Sequence, residues 1–282
     1  MDDYSFLIPN EDKSLILSDS FMHLVSDIEN LVDLDFPVML RGHAGVGKNK
    51  SIEYIACKRN QPLMAVDCSG DMTSSSLLGR ISVDSNGNIV WEDGMLTKAV
   101  EKGVWFVGNE INSVDMDVLF ALHGLLDGGY MVIPNRSKVV KAHPNFKMFI
   151  TMNYGSYYGV KPVNQAFLDR FVTLDVINDE EIDKKILSEM AYSEDVKTSV
   201  MNLVNKIRTP DQNRMFNISQ YFGHRTFNNM KRLSTKFDVV DAFNMAYTYK
   251  LPDKERKYVS DLVNDFLVDN TKLNTSKIGR SI

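Results

Sequence analysis

Cysteine is scarce: Cys57 and Cys68 are the only two among 282 residues. A pair cannot frame a disulfide scaffold, and the expectation is two small buried or half-buried thiols in a reducing compartment. Histidine is thin and scattered, at His23, His43, His123, His143 and His224, and no Cys/His spacing of a structural metal site occurs. No apolar run approaches the ~18 residues that span a bilayer. The opening Met1-Asp2-Asp3 is acidic and lacks a basic-then-apolar leader. These absences point to a cytoplasmic protein with no membrane partner. Positive charge is also short: 32 Lys and Arg against 37 Asp and Glu leave a net charge of −5. That balance argues against a protein whose main task is coating nucleic acid. Internal repeats and low-complexity blocks are missing too.

What is there is globular. With 44% hydrophobic and 24% charged residues, the chain has enough apolar material to bury a core. Ser20 to Leu34 carries Phe21, Leu24, Val25, Ile28, Leu31 and Val32 at helical spacing, with Ser18 or Ser20 able to cap the start. Short apolar runs at 37–40, 63–66, 104–107, 146–152 and 171–176 read as strands. Helical patterns fall between them, at 50–59 and at 115–126 before Gly128-Gly129. Alternating strands and helices predict a mainly parallel sheet covered on both faces. From Asn178 the pattern turns all-helical, with helices expected at 180–190, 193–208, 226–236, 239–249 and 253–267. The expected layout is a helical lead-in at 1–35, an α/β core at 36–177, a helical domain at 178–268 and a polar tail at 269–282.

Gly42-His43-Ala44-Gly45-Val46-Gly47-Lys48-Asn49 joins the first strand to the next helix. In that context the pattern Gly-x-x-x-x-Gly-Lys is a phosphate-binding loop. Glycines let backbone N–H groups approach phosphate oxygens, the helix N-terminus favours the same anion, and Lys48 adds a full charge. The competing reading is a Gly-rich turn with no ligand. The residue after the lysine normally offers a hydroxyl to Mg²⁺; here it is Asn49, whose amide oxygen has a longer reach and a different geometry.

A second strand, Val104-Trp105-Phe106-Val107-Gly108-Asn109-Glu110, resembles a Walker B segment. Such a segment ends in Asp-Glu, the Asp holding the water shell of Mg²⁺ and the Glu polarising the attacking water. Glu110 is present, and Asn109 stands in the Asp position. Asn49 and Asn109 therefore both touch the same ion, which predicts weakened Mg²⁺ affinity beside an intact phosphate cradle. The plainer alternative is a core strand that happens to end in an acid.

With these motifs the chain resembles an AAA+ ATPase of the dynein-related or MoxR-type branch, over roughly Ser20 to Lys250. Further segments match in family order: Leu77-Leu78-Gly79-Arg80 and Trp91 to Ala99 around the helix-2 insert, Thr151-Met152-Asn153 at sensor 1, Phe167 to Phe171 at the arginine finger, and Gly223-His224-Arg225-Thr226 at sensor 2. The resemblance implies a P-loop NTPase three-layer αβα sandwich followed by a small all-α lid. It implies ATP and Mg²⁺ as ligands. It gives Asn153 the orienting of the attacking water or a contact with the γ-phosphate, Arg170 a reach into the neighbouring subunit's nucleotide, and Arg225 the reporting of nucleotide state. Local alternatives stay open: a strand-end cap for Asn153, an ion pair with Asp169 or a lid residue for Arg170, a solvated helix start for Arg225.

Two hairpins are expected. One runs from Ser82 to Trp91 around Asn86-Gly87 and the other from Tyr130 to Val140. The resemblance implies that both contact partners or substrate. Three functions compete. The first is an ATP-hydrolysing ring, a hexamer of this chain, that remodels a protein partner such as one with a von Willebrand A domain. The second is a nucleotide-binding assembly module with little turnover, suggested by Asn49 and Asn109. The third is a nucleic-acid-acting motor, suggested by Arg136, Lys138 and Lys141 and opposed by the acidic net charge.

Overall fold

In a computed structural model, residues 4–68, 72–111, 119, 122–133, 138–154, 164–209, 218 and 221–268 are described. Two compact units divide them. The first lies within Met1–Gly42, Lys48–Gly155 and Gly159–Val176, the second within His43–Gly47, Ser156–Tyr158 and Ile177–Ile282.

In the first unit, helix α1 (Asp19–Asp33) starts where Ser18 accepts a hydrogen bond from the Phe21 N–H at 3.2 Å. Phe21, Val25, Ile28 and Val32 are its buried stripe, the four-and-three spacing that a 3.6-residue turn demands. Strand β1 (Val38–Arg41) follows, then α2 (Lys48–Lys58), β2 (Leu63–Asp67), the short α3 (Ser74–Leu78), β3 (Gly79–Val83) and β4 (Ile89–Asp93). Next come α4 (Met95–Lys102), β5 (Trp105–Asn109), α5 (His123–Gly128), β6 (Tyr130–Ile133), β7 (Lys138–Lys141), β8 (Met148–Met152), α6 (Gln165–Leu168) and β9 (Val172–Asp175).

Five strands form one parallel sheet in the order β2-β5-β8-β1-β9. Val38 pairs with Phe149 on one side and Val172 on the other; Trp105 pairs with Leu63. Every residue of β5 is buried, as expected of a strand with neighbours on both edges and both faces covered. Burying Trp105, Phe106 or Val107 is worth about 1.5–3 kcal/mol each. The C-terminal ends of β2, β5, β8 and β1 share one edge, the edge at which such sheets take ligands.

The two hairpins form separate antiparallel ribbons, β3 with β4 and β6 with β7. The first begins at Gly79, three residues before the expected Ser82, because Gly79 already pairs with Asp93. Its turn is closed by Asp84, whose Oδ1 accepts from the N–H groups of Asn86 (2.9 Å) and Asn88 (2.8 Å). Ile81, Val83 and Ile89 are exposed apolar residues on this ribbon. On the second, Lys138 is ion-paired with Glu101, and Arg136 lies outside the described residues. The helix expected at 115–126 is described from His123, ending at Gly128 with Gly129 as its left-handed cap; residues 115–118, 120 and 121 also lie outside.

The second unit is helical where described: α7 (Glu180–Ser188), α8 (Glu194–Arg208), α9 (His224–Leu233), α10 (Val239–Ala246) and α11 (Asp253–Val263). A wide π turn, Asn264–Val268, continues α11. Asp179 caps α7 by accepting from the Glu181 and Ile182 N–H groups. Phe222, Phe227, Phe243 and Tyr247 form its aromatic centre, with Phe222 at 4.9 Å from Phe227 and 4.9 Å from Tyr247. Helix α9 starts at His224, ahead of the expected Thr226, and α10 ends at Ala246, short of the expected Tyr249. Among the described residues no helix is long and apolar enough to cross a membrane.

Candidate functional site

Lys48, the first residue of α2, is only 8% exposed. Its Nζ donates to the Gly42 carbonyl at 2.8 Å and to Asn153 Oδ1 at 2.9 Å. Asn153 follows the end of β8, and its Nδ2 donates to Glu110 Oε1 at 3.3 Å. The Glu110 N–H in turn donates to the buried Thr151 Oγ1 at 3.3 Å. Three of the residues singled out in the sequence are thus hydrogen-bonded in series along the ligand-taking edge of the sheet. The series sets a cation beside an amide beside a carboxylate, an arrangement suited to holding an anionic group and polarising a water. Glu110 has φ +55°, a left-handed setting that costs a side-chain-bearing residue about 1–2 kcal/mol and is typical of functional sites.

Asn109 ends β5 opposite Asp67, its register partner on β2. Its Nδ2 donates to Asp67 Oδ1 at 2.9 Å. Its own Oδ1 is buried and, among the described residues, without a hydrogen-bond partner. Asp67 carries no motif and was not legible as a site residue; only the pairing of β2 with β5 brings it here. Cys68, next along, is a free buried thiol. Burial first, then the charges of Asp67 and Glu110, push it up to about 12, which makes it inert as a nucleophile near neutrality. Cys57 is the other free thiol and is half-buried. Asn49 is exposed on α2.

Arg170 is engaged elsewhere in the first unit. Its Nε and Nη2 fork onto the two oxygens of Asp127 at 2.6 and 2.7 Å, and Nη1 donates to the Ala166 carbonyl. Asp169 instead accepts from Gln165 Nε2 at 2.7 Å.

The loop His43–Gly47 packs within the second unit. The His43 ring stacks on Tyr221 with centroids 4.1 Å apart and planes 5° from parallel. Gly45 has φ +79°, and a Cβ there would sit 3.2 Å from Arg225 Cβ. A Cβ on Gly223 would sit 2.7 Å from the Ala44 carbonyl oxygen. Both glycines are therefore needed for the loop and the start of α9 to lie this close. Arg225 is exposed at the second position of α9.

Behind α9 lies a buried polar cluster that the sequence did not flag. Asp183, fully buried, receives Arg208 Nη1 at 2.6 Å and Asn178 Nδ2 at 2.6 Å. Arg208 also donates to the Phe222 carbonyl through Nε and Nη2, and its guanidinium lies 5.3 Å from the centre of the Tyr221 ring. His224 Nε2 sits 3.6 Å from Asp183 Oδ1 and 3.2 Å from the Asp179 carbonyl. Burial is the foremost influence on His224 and holds it below its ordinary range, against the opposing pull of Asp183.

Residues 37–171 match the family model described as AAA domain (dynein-related subfamily). Protein CbbQ of Hydrogenophilus thermoluteolus is 32% identical over 166 residues, 57% of this chain and 62% of that one. An uncharacterized protein of Staphylococcus aureus (strain NCTC 8325) is 33% identical over 178 residues, 61% of this chain and 67% of that one. Midasin of Dictyostelium discoideum is 33% identical over 181 residues, 62% of this chain and 3% of that one. Neither CbbQ nor midasin is spanned for two thirds of its length.

Proposed function

The chain belongs to the dynein-related subfamily of AAA domains, and from that premise we propose that it binds ATP, hydrolyses it and uses the cycle to remodel a protein partner. The observation that carries this reading is the series Lys48–Asn153–Glu110. In the proposal, Gly42 to Asn49 hold the phosphates and Lys48 offsets their charge. Glu110 accepts the proton of the attacking water, and Asn153 keeps that carboxylate oriented. The donor set suits Mg²⁺: Asn109 has a buried amide oxygen without a partner among the described residues, and Asn49 offers another from α2. Bound there, the ion would supply charge neutralisation for phosphoryl transfer.

Arg170 and Arg225 complete the proposal, Arg170 by offsetting charge on the transferred phosphoryl group and Arg225 by reporting nucleotide state. The first acts across a subunit boundary in a ring, taken to be a hexamer. The exposed apolar residues Ile81, Val83 and Ile89 on the first hairpin suit a protein partner better than a nucleic acid. A von Willebrand A domain protein is the partner to try first. The nucleic-acid reading keeps Lys141, while Lys138 is neutralised by Glu101. A cytoplasmic setting goes with the whole reading.

Phosphate release by the purified chain tests it. Turnover should require Mg²⁺ and vanish in Lys48→Ala and Glu110→Gln, with Glu110→Gln still binding ATP. The second reading, an assembly module with little turnover, is favoured by Asn49 and Asn109. It gains if wild type binds ATP without release and Asn49→Thr with Asn109→Asp restores release.

A further inference from the structure

Asp67 ends β2 directly opposite Asn109 in the β2–β5 register, and its Oδ1 accepts from Asn109 Nδ2 at 2.9 Å. An ionised carboxylate only accepts hydrogen bonds, so it can hold an amide only by its NH₂ end. The other end, Asn109 Oδ1, is thereby turned away from Asp67. That oxygen is buried in a residue only 7% exposed and has no hydrogen-bond partner among the described residues. Leaving a buried acceptor unpaired is costly, and such a group asks for a donor. Glu110 follows immediately in the chain, and Cys68, the residue after Asp67, donates its N–H to the Asn109 carbonyl at 2.8 Å, which ties the two strand ends together. The acceptor therefore sits at the edge where a nucleotide's metal ion would need oxygen ligands for its water shell.

We propose that Asp67 is the positioning residue for the divalent cation. It fixes the Asn109 amide with the oxygen facing the ion's water and lends that oxygen negative character through the hydrogen bond. The carboxylate that the motif places at position 109 has, in effect, moved one strand over. Asn109 is then not a lesion in the metal site but half of a two-residue device. This rests on the reading of residues 42–49 as a nucleotide cradle.

The full chain is titrated calorimetrically with the non-hydrolysable analogue adenylyl imidodiphosphate, once with excess EDTA and once with excess Mg²⁺. The ratio of the two dissociation constants is the gain from metal. In Asp67→Asn the gain falls about tenfold or more, the usual consequence of removing a group that orients a metal ligand, while binding in EDTA is unchanged. An amide at 67 can offer either end to Asn109, so the orientation is lost although the shape is kept. The exchange Asp67→Asn with Asn109→Asp returns the charge to β5 and restores the gain. An undiminished gain in Asp67→Asn overturns the inference, as does an exchanged protein no better than the single variant. Wild type that binds the analogue in neither buffer overturns the cradle itself, and this inference with it.

Discussion

Lys48 and Asn153 meet at 2.9 Å, the first residue of α2 against the residue just beyond β8. Through Asn153 the lysine is coupled to Glu110, so the amide is the hinge of the arrangement. Asn153→Ala should leave ATP affinity nearly intact and lower kcat on the order of 10²-fold, the penalty of a misplaced catalytic group. Steady-state phosphate release with a separate binding titration checks this. An unchanged kcat would reduce Asn153 to a strand-end cap.

Arg170 can reach a neighbouring subunit only by leaving Asp127, which it now grips with two parallel hydrogen bonds. The guanidinium holds the Asp127 carboxyl below its ordinary range. Arg170→Ala should cost on the order of 10³-fold in turnover if the arginine serves phosphoryl transfer in trans. Asp127→Asn should do the reverse and raise turnover at low protein concentration, by freeing the arginine. Full activity in Arg170→Ala would leave the residue as a clamp on α5 and nothing more.

Gly45→Ala places a side chain at φ +79° and 3.2 Å from Arg225 Cβ. The backbone penalty alone is about 1–2 kcal/mol. Gly223→Ala has ordinary backbone angles but meets the Ala44 carbonyl oxygen at 2.7 Å, a backbone clash of the kind that costs about 1–3 kcal/mol. Urea unfolding should show both losses, and ATP affinity should fall with them. Wild-type midpoints in both variants would mean that the loop does not lie against the start of α9.

His224 gives the second unit a pH response of definite sign. Its burial lowers the folded value below the ordinary 6.5, while Asp183 and Asp179 pull upward and Arg208 downward. Below 6.5 the unfolded chain then binds more protons than the folded one. This contribution to stability is complete above that pH and is lost as pH falls through the folded value, by at most about 1.4 kcal/mol per pH unit. Melting temperatures measured from about pH 7.5 down to about pH 5 should decline, and His224→Gln should flatten the decline. Equal slopes in the two proteins would assign the acid sensitivity to other groups.

The legible part of the site was the part written locally. Gly42, Glu110 and Asn153 each follow a strand announced by an apolar run, and Lys48 opens the helix after the first of them, so the meeting of these four follows once the sheet forms. Asp67 was illegible because no local pattern says that β2 pairs with β5. The local alternative for Arg170, an ion pair with Asp169, does not form: Asp169 is occupied by Gln165 one helical turn away, and the guanidinium reaches back to Asp127. The start of α9 was misplaced by two residues because Gly223, its cap, has no capping side chain, whereas Thr226 carries the usual cap chemistry. Helix α10 stops early because Tyr247 leaves helical angles (φ −136°, ψ −63°), where its ring is buried against Phe222 and Phe243.

Glu110 holds its carboxylate on a backbone that suits glycine or asparagine better. Directed evolution for heat tolerance alone should therefore enrich exactly those two residues at position 110, hardening the protein while silencing it. A parallel selection for turnover should discard them, and the divergence of the two pools at this single codon would measure how far durability and work are opposed in this chain.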